Sequence, residues 1–450
     1  MSEQAVAGHQ RSLPSSTPAQ AETVTGLDVT QPIPSLAPEK FIPVDRKDII
    51  ERVLDRLFEP AQRSLATEAV RYMCALRQAE SAKSLDSLVE LYDAFNPDDE
   101  TVNLTEISAP ERKLRLETLK ARVVDLVVSA NYNEIDKAAL EKILEKASGV
   151  GFLAEVDLSE YDFHLLYYRG AIKDKILAAT WKTLWLFERP VEVDAYRRLF
   201  LGLKLKPFEA RVAELMQTGL SKRKAQRAVR RARNHQLLEG VSEHTLHLKI
   251  FRRIARSELQ ILFPNARIRF TLFDRLWLWI GSGGSTVVAI VMAALKFVAL
   301  VVISPLVILI TVGGAVGAIF RTVTSFFNTR TRYMAKLAKS LYFHNIGSNQ
   351  SVLTLLTDEA EEEDIIEAVI TYALLLGHGH RGLDAVKNEA EKFLKDEFDV
   401  DCVFDIEDGC DHLRKLGLIV SDAHGQLHYR HLEDAREHLI AEWQAVPAAA

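Results

Sequence analysis

With 450 residues, 48% of them hydrophobic and 26% charged, the chain is long enough for two or three globular domains and too polar overall for a polytopic carrier. A net charge of −6 argues against general nucleic-acid binding, which calls for a basic excess. Three cysteines, Cys74, Cys402 and Cys410, with no CxxC pair, exclude a disulfide framework and a cysteine-rich zinc site and suit a reducing compartment.

Residues 1–40 are rich in Ser, Pro, Thr, Ala and Gln and hold too few large apolar side chains for a core, so they read as a disordered tail. The tail lacks the apolar stretch of a secretory signal and is neither Arg-rich nor free of acids, which places the N-terminus in the cytoplasm as an expectation. From residue 41 to about 150, apolar residues recur at helical spacing, as in Ile49, Val53 and Leu57 or Leu119, Val123 and Val127, and predict a helical domain. Residues 151–275 alternate short aromatic and β-branched runs ("YDFHLLYYRG", "AYRRLFLGLKLK", "TLHLKIF") with helical stretches, and predict an antiparallel α+β domain. Within it, "SKRKAQRAVRRARNH" reads as a basic amphipathic helix.

Residues 276–320 form the apolar stretch. As one helix it would span roughly twice the ~30 Å hydrocarbon core, and basic residues flank both ends. The positive-inside rule then predicts a two-helix transmembrane hairpin over 276–327 with both termini cytoplasmic, an inner-membrane protein of two spans. Ser304 and Pro305 would open the second helix, Lys296 would snorkel to the outer surface, and Gly313 and Gly317 would let the helices approach closely. A helical connector is expected over 328–357, with the acidic run Asp358 to Asp364 at a helix N-terminus. Residues 358–445 read as three helices, a β-hairpin and a closing helix, a winged-helix-like order. Its third helix carries Asp405, Glu407, Asp408 and Asp411 against Arg414 and Lys415, which disfavours DNA and points to a protein partner. The whole is expected to be mainly α, with one antiparallel α+β domain and a winged-helix-like C-terminal domain.

Several stretches together resemble the transmembrane protein 143 family, catalogued as domain of unknown function 3754: "FIPV", "FHLLYYRG" at Phe163 to Gly170, "HLKIFRRIARSELQILFPNARIRFTLFDRL" from His247, and "LYFHNIGSNQSVLTLLTDEAEEEDIIEAVITY" from Leu341. The resemblance covers most of residues 40–376. It implies a membrane protein with two close spans and no assigned activity, and the missing transit peptide makes this a bacterial-type member. It supplies no catalytic residues.

No P-loop, dinucleotide fingerprint, GxSxG elbow or HExxH helix occurs, so no catalytic residue, metal ligand or cofactor is expected. Arg223, Arg227, Arg230 and Arg231 share one face of the basic helix, with Ala225, Val229 and Ala232 on another. That face is a candidate for anionic lipid headgroups, with a solvated surface helix and a nucleic-acid contact as the competing readings. His378, His380, His424, His428 and His431 read as loop histidines. Arg169 most simply pairs with a carboxylate and is the candidate ligand-binding arginine. The leading expectation is a membrane-anchored scaffold or regulatory protein, with the lipid bilayer and a protein as partners and a homo-oligomer as an option. A membrane-tethered nucleic-acid regulator and an enzyme with an unrecognised site in the α+β domain are the alternatives.

Overall fold

The computed structural model describes residues 24–25, 39–98, 107–136, 140, 152–179, 188–233, 241–264, 267–270, 342–378, 382–421 and 427–446. Three helices come first. In α1 (Arg46–Arg56), the Asp45 carboxylate accepts from the Lys47 N–H at 2.8 Å and caps the helix, while Ile49 and Val53 turn inward. α2 (Arg63–Asp93) buries Ala66, Ala69, Val70 and Met73 in its first half and Leu88 and Tyr92 in its second. α3 (Ala109–Ser129) begins with a proline in its first turn and buries Leu116, Leu119, Val123 and Val127, one face at helical spacing.

The sheet follows. β2 (Asn133–Glu134), β4 (Tyr161–Ala179), β5 (Glu188–Leu205), β6 (His247–Ala255) and β8 (Asn345–Ser348) pair antiparallel in that order, and β1 (Val24–Thr25) runs parallel beside the end of β4. A separate ladder joins β3 (Phe152–Glu155) to β7 (Arg267–Phe270). Alternation along "LFLGLKL" sorts the side chains of β5. Leu199, Leu201 and Leu203 face one apolar cluster with Tyr161, Phe251 and the short 3-10 helix Arg256–Leu262. Phe200 faces another, with Leu248, Ile250, the second half of α2 and α3. Between β5 and β6 lies a helix pair, α4 (Phe208–Gln217) and α5 (Lys222–Arg233), joined through Gly219 at φ +95.

The long helix α6 (Gln350–His378) packs against α1, α2 and α3. Its first half closes the sheet through Val352, Leu353 and Leu356. Its second half centres a cluster with α1, the start of α2, α7 (Leu383–Phe398), α8 (Ile406–Lys415) and α9 (Leu432–Ala445), and the hairpin β9 (Ile419–Ser421) and β10 (Leu427–Tyr429) precedes α9.

Two expectations need correction. The architecture is mixed α/β, built on an antiparallel sheet that draws β2 from the expected helical domain and β8 from the expected helical connector, rather than mainly α. "NIGS" supplies a glycine and a β-branched residue beside the open edge of β6, and pairing there satisfies backbone groups that a helix would otherwise use. The transmembrane hairpin, and with it the two-span inner-membrane location with both termini cytoplasmic, is not supported, because among the described residues no helix is long and apolar enough to cross a membrane. Among the described residues the three helices of sufficient length, α2 with 31 residues, α3 with 21 and α6 with 29, carry charges along their length and spend their apolar faces on the protein interior. Residues 276–327, with Lys296, Ser304, Pro305, Gly313 and Gly317, lie outside the described residues.

Candidate functional site

Arg169 sits within β4, not at its end. The strand passes straight through Gly170, whose φ of +72 suits glycine, and a Cβ there would come within 3.0 Å of the Arg197 Cβ. Across the ladder Arg169 is the direct partner of Arg198 on β5. Two guanidinium groups opposed this way repel each other unless carboxylates intervene. The middle of α6 provides them. Arg169, 5% exposed, meets Glu359 at 2.8 Å and Glu363 at 2.7 Å, and Arg198 also pairs with Glu359. The Arg169 guanidinium stacks on Phe41, 4.0 Å from the ring centroid.

The turn after α3 completes this cluster. Asn131, held at φ +58, donates from Nδ2 to Glu363 at 3.3 Å and to Glu367 at 3.4 Å. The Tyr132 hydroxyl donates to Glu359 at 2.8 Å, and burial pushes it up to about 12. Glu359, Glu363 and Glu367 follow one another at four-residue spacing, so they stack along one side of the helix. Burial, against the opposing pull of Arg169, pushes Glu363 up to about 7. Glu367 is held well above the usual carboxylate range by burial and then by Glu363. The acidic run therefore lies in the middle of a helix, not at its N-terminus, with Glu359, Glu361, Glu363 and Asp364 buried and Asp358 and Glu362 exposed. The same run binds other elements: Arg46 to Glu361 at 3.1 Å, Arg77 to Asp364 at 2.9 Å, and His412 of α8 to Asp364 at 2.8 Å. Close packing of α8 depends on Gly409, where a Cβ would meet the Thr371 Oγ1 at 2.5 Å.

Chemically, this cluster holds charge and protons inside the fold. Arg169 spends its guanidinium on Glu359 and Glu363. Among the described residues, no group of three or more His, Cys, Asp or Glu is placed to hold a metal ion.

α5 has the opposite character. Ala225, Val229 and Ala232 are buried against α4 with Val212, Phe208 and Leu215. Arg223, Arg227, Arg230 and Arg231 are exposed, as are Lys222 and Lys224, and none of the six forms an ion pair with another described residue. Arg233 behaves differently: it pairs with Glu243 at 2.9 Å, lies over the Phe208 ring and donates to the Lys206 carbonyl at 2.5 Å, so it fastens the helix to the sheet. The acids of α4 are partly engaged elsewhere, Glu214 by Lys206 at 2.6 Å and Arg211 at 3.1 Å. Met216, in the last turn of α4, is 43% exposed.

In the C-terminal part, Asp405 caps α8 and pairs with Lys40 at 2.8 Å, while Ile406, Gly409, Cys410 and Leu413 face inward. Glu407, Asp408, Asp411, Arg414 and Lys415 remain on its outer side, with Arg414 paired to Asp411. His428 lies in β10 and His431 precedes α9, both exposed; His380 and His424 fall outside the described residues.

Sequence reasoning singled out Arg169 and the basic face and missed Arg198, Asn131, Tyr132 and the three stacked glutamates. The available signal was the four-residue spacing of Glu359, Glu363 and Glu367, the last set inside the otherwise largely apolar "IIEAVITYALLL", which puts acids on a helix with little polar side to spare.

These features define a mixed α/β protein in which an antiparallel sheet is joined to an acidic central helix through buried arginine–glutamate pairs. Residues 165–351 of the chain, which hold Arg169, Arg198, α5 and β8 and end before Glu359 and Glu363, match the model of a family described as a protein of unknown function (DUF3754). No curated protein and no solved structure matches the chain.

Proposed function

We propose that this chain is a non-catalytic scaffold or regulatory protein whose α5 face docks on a phosphate-bearing surface, with anionic lipid headgroups as the surface. The single observation behind this reading is the set of six exposed cations on α5, unpaired with any described residue, on a chain whose net charge is −6. Evenly scattered surface charge would be balanced locally; this face is not. Because the apolar stripe of α5 is already buried against α4, the contact is electrostatic and peripheral, worth about 1 kcal/mol per basic residue near an anionic surface. Exposed Met216 beside the loop into α5 offers a small apolar foothold.

Nucleic acid is the second reading, since α4, the Gly219 turn and α5 are ordered as a helix-turn-helix pair. The exposed cations meet phosphates first, and no exposed Asn or Gln of α5 stands among them to read an adenine edge. The outer side of α8, acidic with two basic residues, is the expected site for a protein partner. The finer likeness, to the transmembrane protein 143 family and to bacterial members of it, rests on the motif stretches alone.

The test sets phosphatidylserine vesicles, phosphatidylcholine vesicles and a duplex DNA against the same purified chain. Salt-sensitive binding to the anionic vesicles alone is the expected result. Equal or tighter binding to duplex moves the reading to nucleic acid, and no binding to either removes it.

A further inference from the structure

On the face of the sheet opposite α3, the structure leaves a cavity of about 440 Å³. It lies between β5, β6, the segment after the 3-10 helix, and the start of α6. This volume falls in the range that holds small ligands, roughly 300–1,000 Å³. Its lining changes character from one strand to the next. The β5 side is apolar, made by Leu201, Leu203 and Leu205 with Leu262 and Val241. The β6 side is polar, made by Lys249 and His247, the register partners of Leu201 and Leu203, with Ser348, Asn349 and Asp98.

The polar side is fixed in place. Asn349, buried and held at φ +55, donates from its backbone N–H to the Leu248 carbonyl at 2.7 Å. Its side chain accepts from the Leu248 N–H at 3.3 Å and donates to Asp98 at 2.5 Å. Asp98 takes that bond from a neutral amide and keeps its charge, so an anionic head group must sit on the side of Lys249 away from it. Lys249 forms no ion pair with another described residue and is the cation on this side. Burial, then Lys249, holds the His247 imidazole below its ordinary value, so near neutral pH it adds a hydrogen-bonding ring without a charge. The first turn of α6, which starts at this wall, contains no acidic residue to oppose an anion.

We infer that this cavity is a binding site for a small anionic amphiphile, its head group on Lys249 and its apolar body along the leucines of β5. This site is separate from the α5 face and does not depend on it. A carboxylate and a phosphate monoester share the required chemistry.

The experiment is calorimetric titration of the intact chain with decanoate, decyl phosphate and decylamine below their micelle concentrations. Saturable one-to-one binding of decanoate or decyl phosphate, at least tenfold tighter than decylamine, is expected, and whichever of the two binds tighter identifies the head group. Lys249→Met should weaken that binding at least tenfold, and Val241→Trp, which fills the apolar side, should abolish it. The near-UV circular dichroism of both should match the parent, and Arg227→Glu with Arg230→Glu should leave the titration unchanged. No saturable binding of either anion overturns the inference. So does binding that survives both cavity changes, or binding lost with the α5 reversals.

Discussion

Arg169 and Arg198 face each other across β4 and β5, a placement that only a bridging acid makes tolerable. Arg169→Met keeps the volume of the side chain but leaves Glu359 and Glu363 without their buried partner. Urea denaturation should show a loss of about 3–5 kcal/mol, as for other buried pairs broken on one side. Glu363→Gln is expected to be far milder, because the folded chain already holds that carboxyl protonated up to about pH 7. The pH dependence follows from the same shift. A free carboxyl releases its proton near 4.5, so between 4.5 and 7 the unfolded chain binds fewer protons than the folded one. The stability from Glu363 is fully present below 4.5 and is lost as pH rises through 7, and Glu367 acts in the same direction. Thermal unfolding at several pH values should show this decline in the parent and a flatter curve in Glu363→Gln.

At the level of elements, α5 can lose charge without losing structure. Arg227→Glu with Arg230→Glu changes only exposed positions, and stability should stay within about 0.5 kcal/mol of the parent. α8 is the contrary case. Gly409→Ala drives a methyl group against Thr371 Oγ1 and the Glu367 carbonyl, and should cost about 1–3 kcal/mol through overpacking. Both outcomes are readable by chemical denaturation. α5 was legible in the sequence because its buried stripe, Ala225, Val229 and Ala232, and its arginines separate cleanly on a helical wheel. β5 was legible for a similar reason, its leucines alternating with Phe200 and Gly202. α6 was legible as a helix but not as the centre of the fold, because Glu359, Glu363 and Asp364 look like a solvated helix start until Arg169, Arg198 and Arg77, distant in sequence, are seen to meet them. Edge strand β8 escaped notice because four residues carry no period of their own, and only the open side of β6 defines them. The 276–327 expectation followed the length of the apolar stretch and its basic flanks, and among the described residues no helix is long and apolar enough to cross a membrane.

On the scale of the whole molecule, the core does not follow the chain. Ile42, Ile49, Val53 and Met73 from the N-terminal helices share one apolar cluster with Val369, Leu394, Leu413 and Leu439. Segment 39–42 ties the parts further: Glu39 accepts from the Ala171 N–H, its carbonyl from the Val403 N–H at 2.9 Å, and Lys40 pairs with Asp405. A fragment of residues 342–446 is therefore expected to lack cooperative unfolding, because the N-terminal side chains that close its apolar cluster, Ile42, Ile49, Val53 and Met73 among them, are missing. Adding a 39–98 peptide should restore a cooperative transition, and calorimetry would detect it. The two helical groups are one structural unit, with α6 as its axis, and the α5 face projects from the sheet beyond it as a module whose surface can vary independently.

The central claim is that this face recognises phosphate by charge. Its most direct test is co-sedimentation of the intact chain and of the Arg227→Glu, Arg230→Glu variant with phosphatidylserine vesicles at increasing salt. The parent should bind with an affinity that falls steeply as salt rises, and the variant should stay in the supernatant at every salt concentration. A variant that sediments as the parent does, or a parent whose binding ignores salt, would contradict the account.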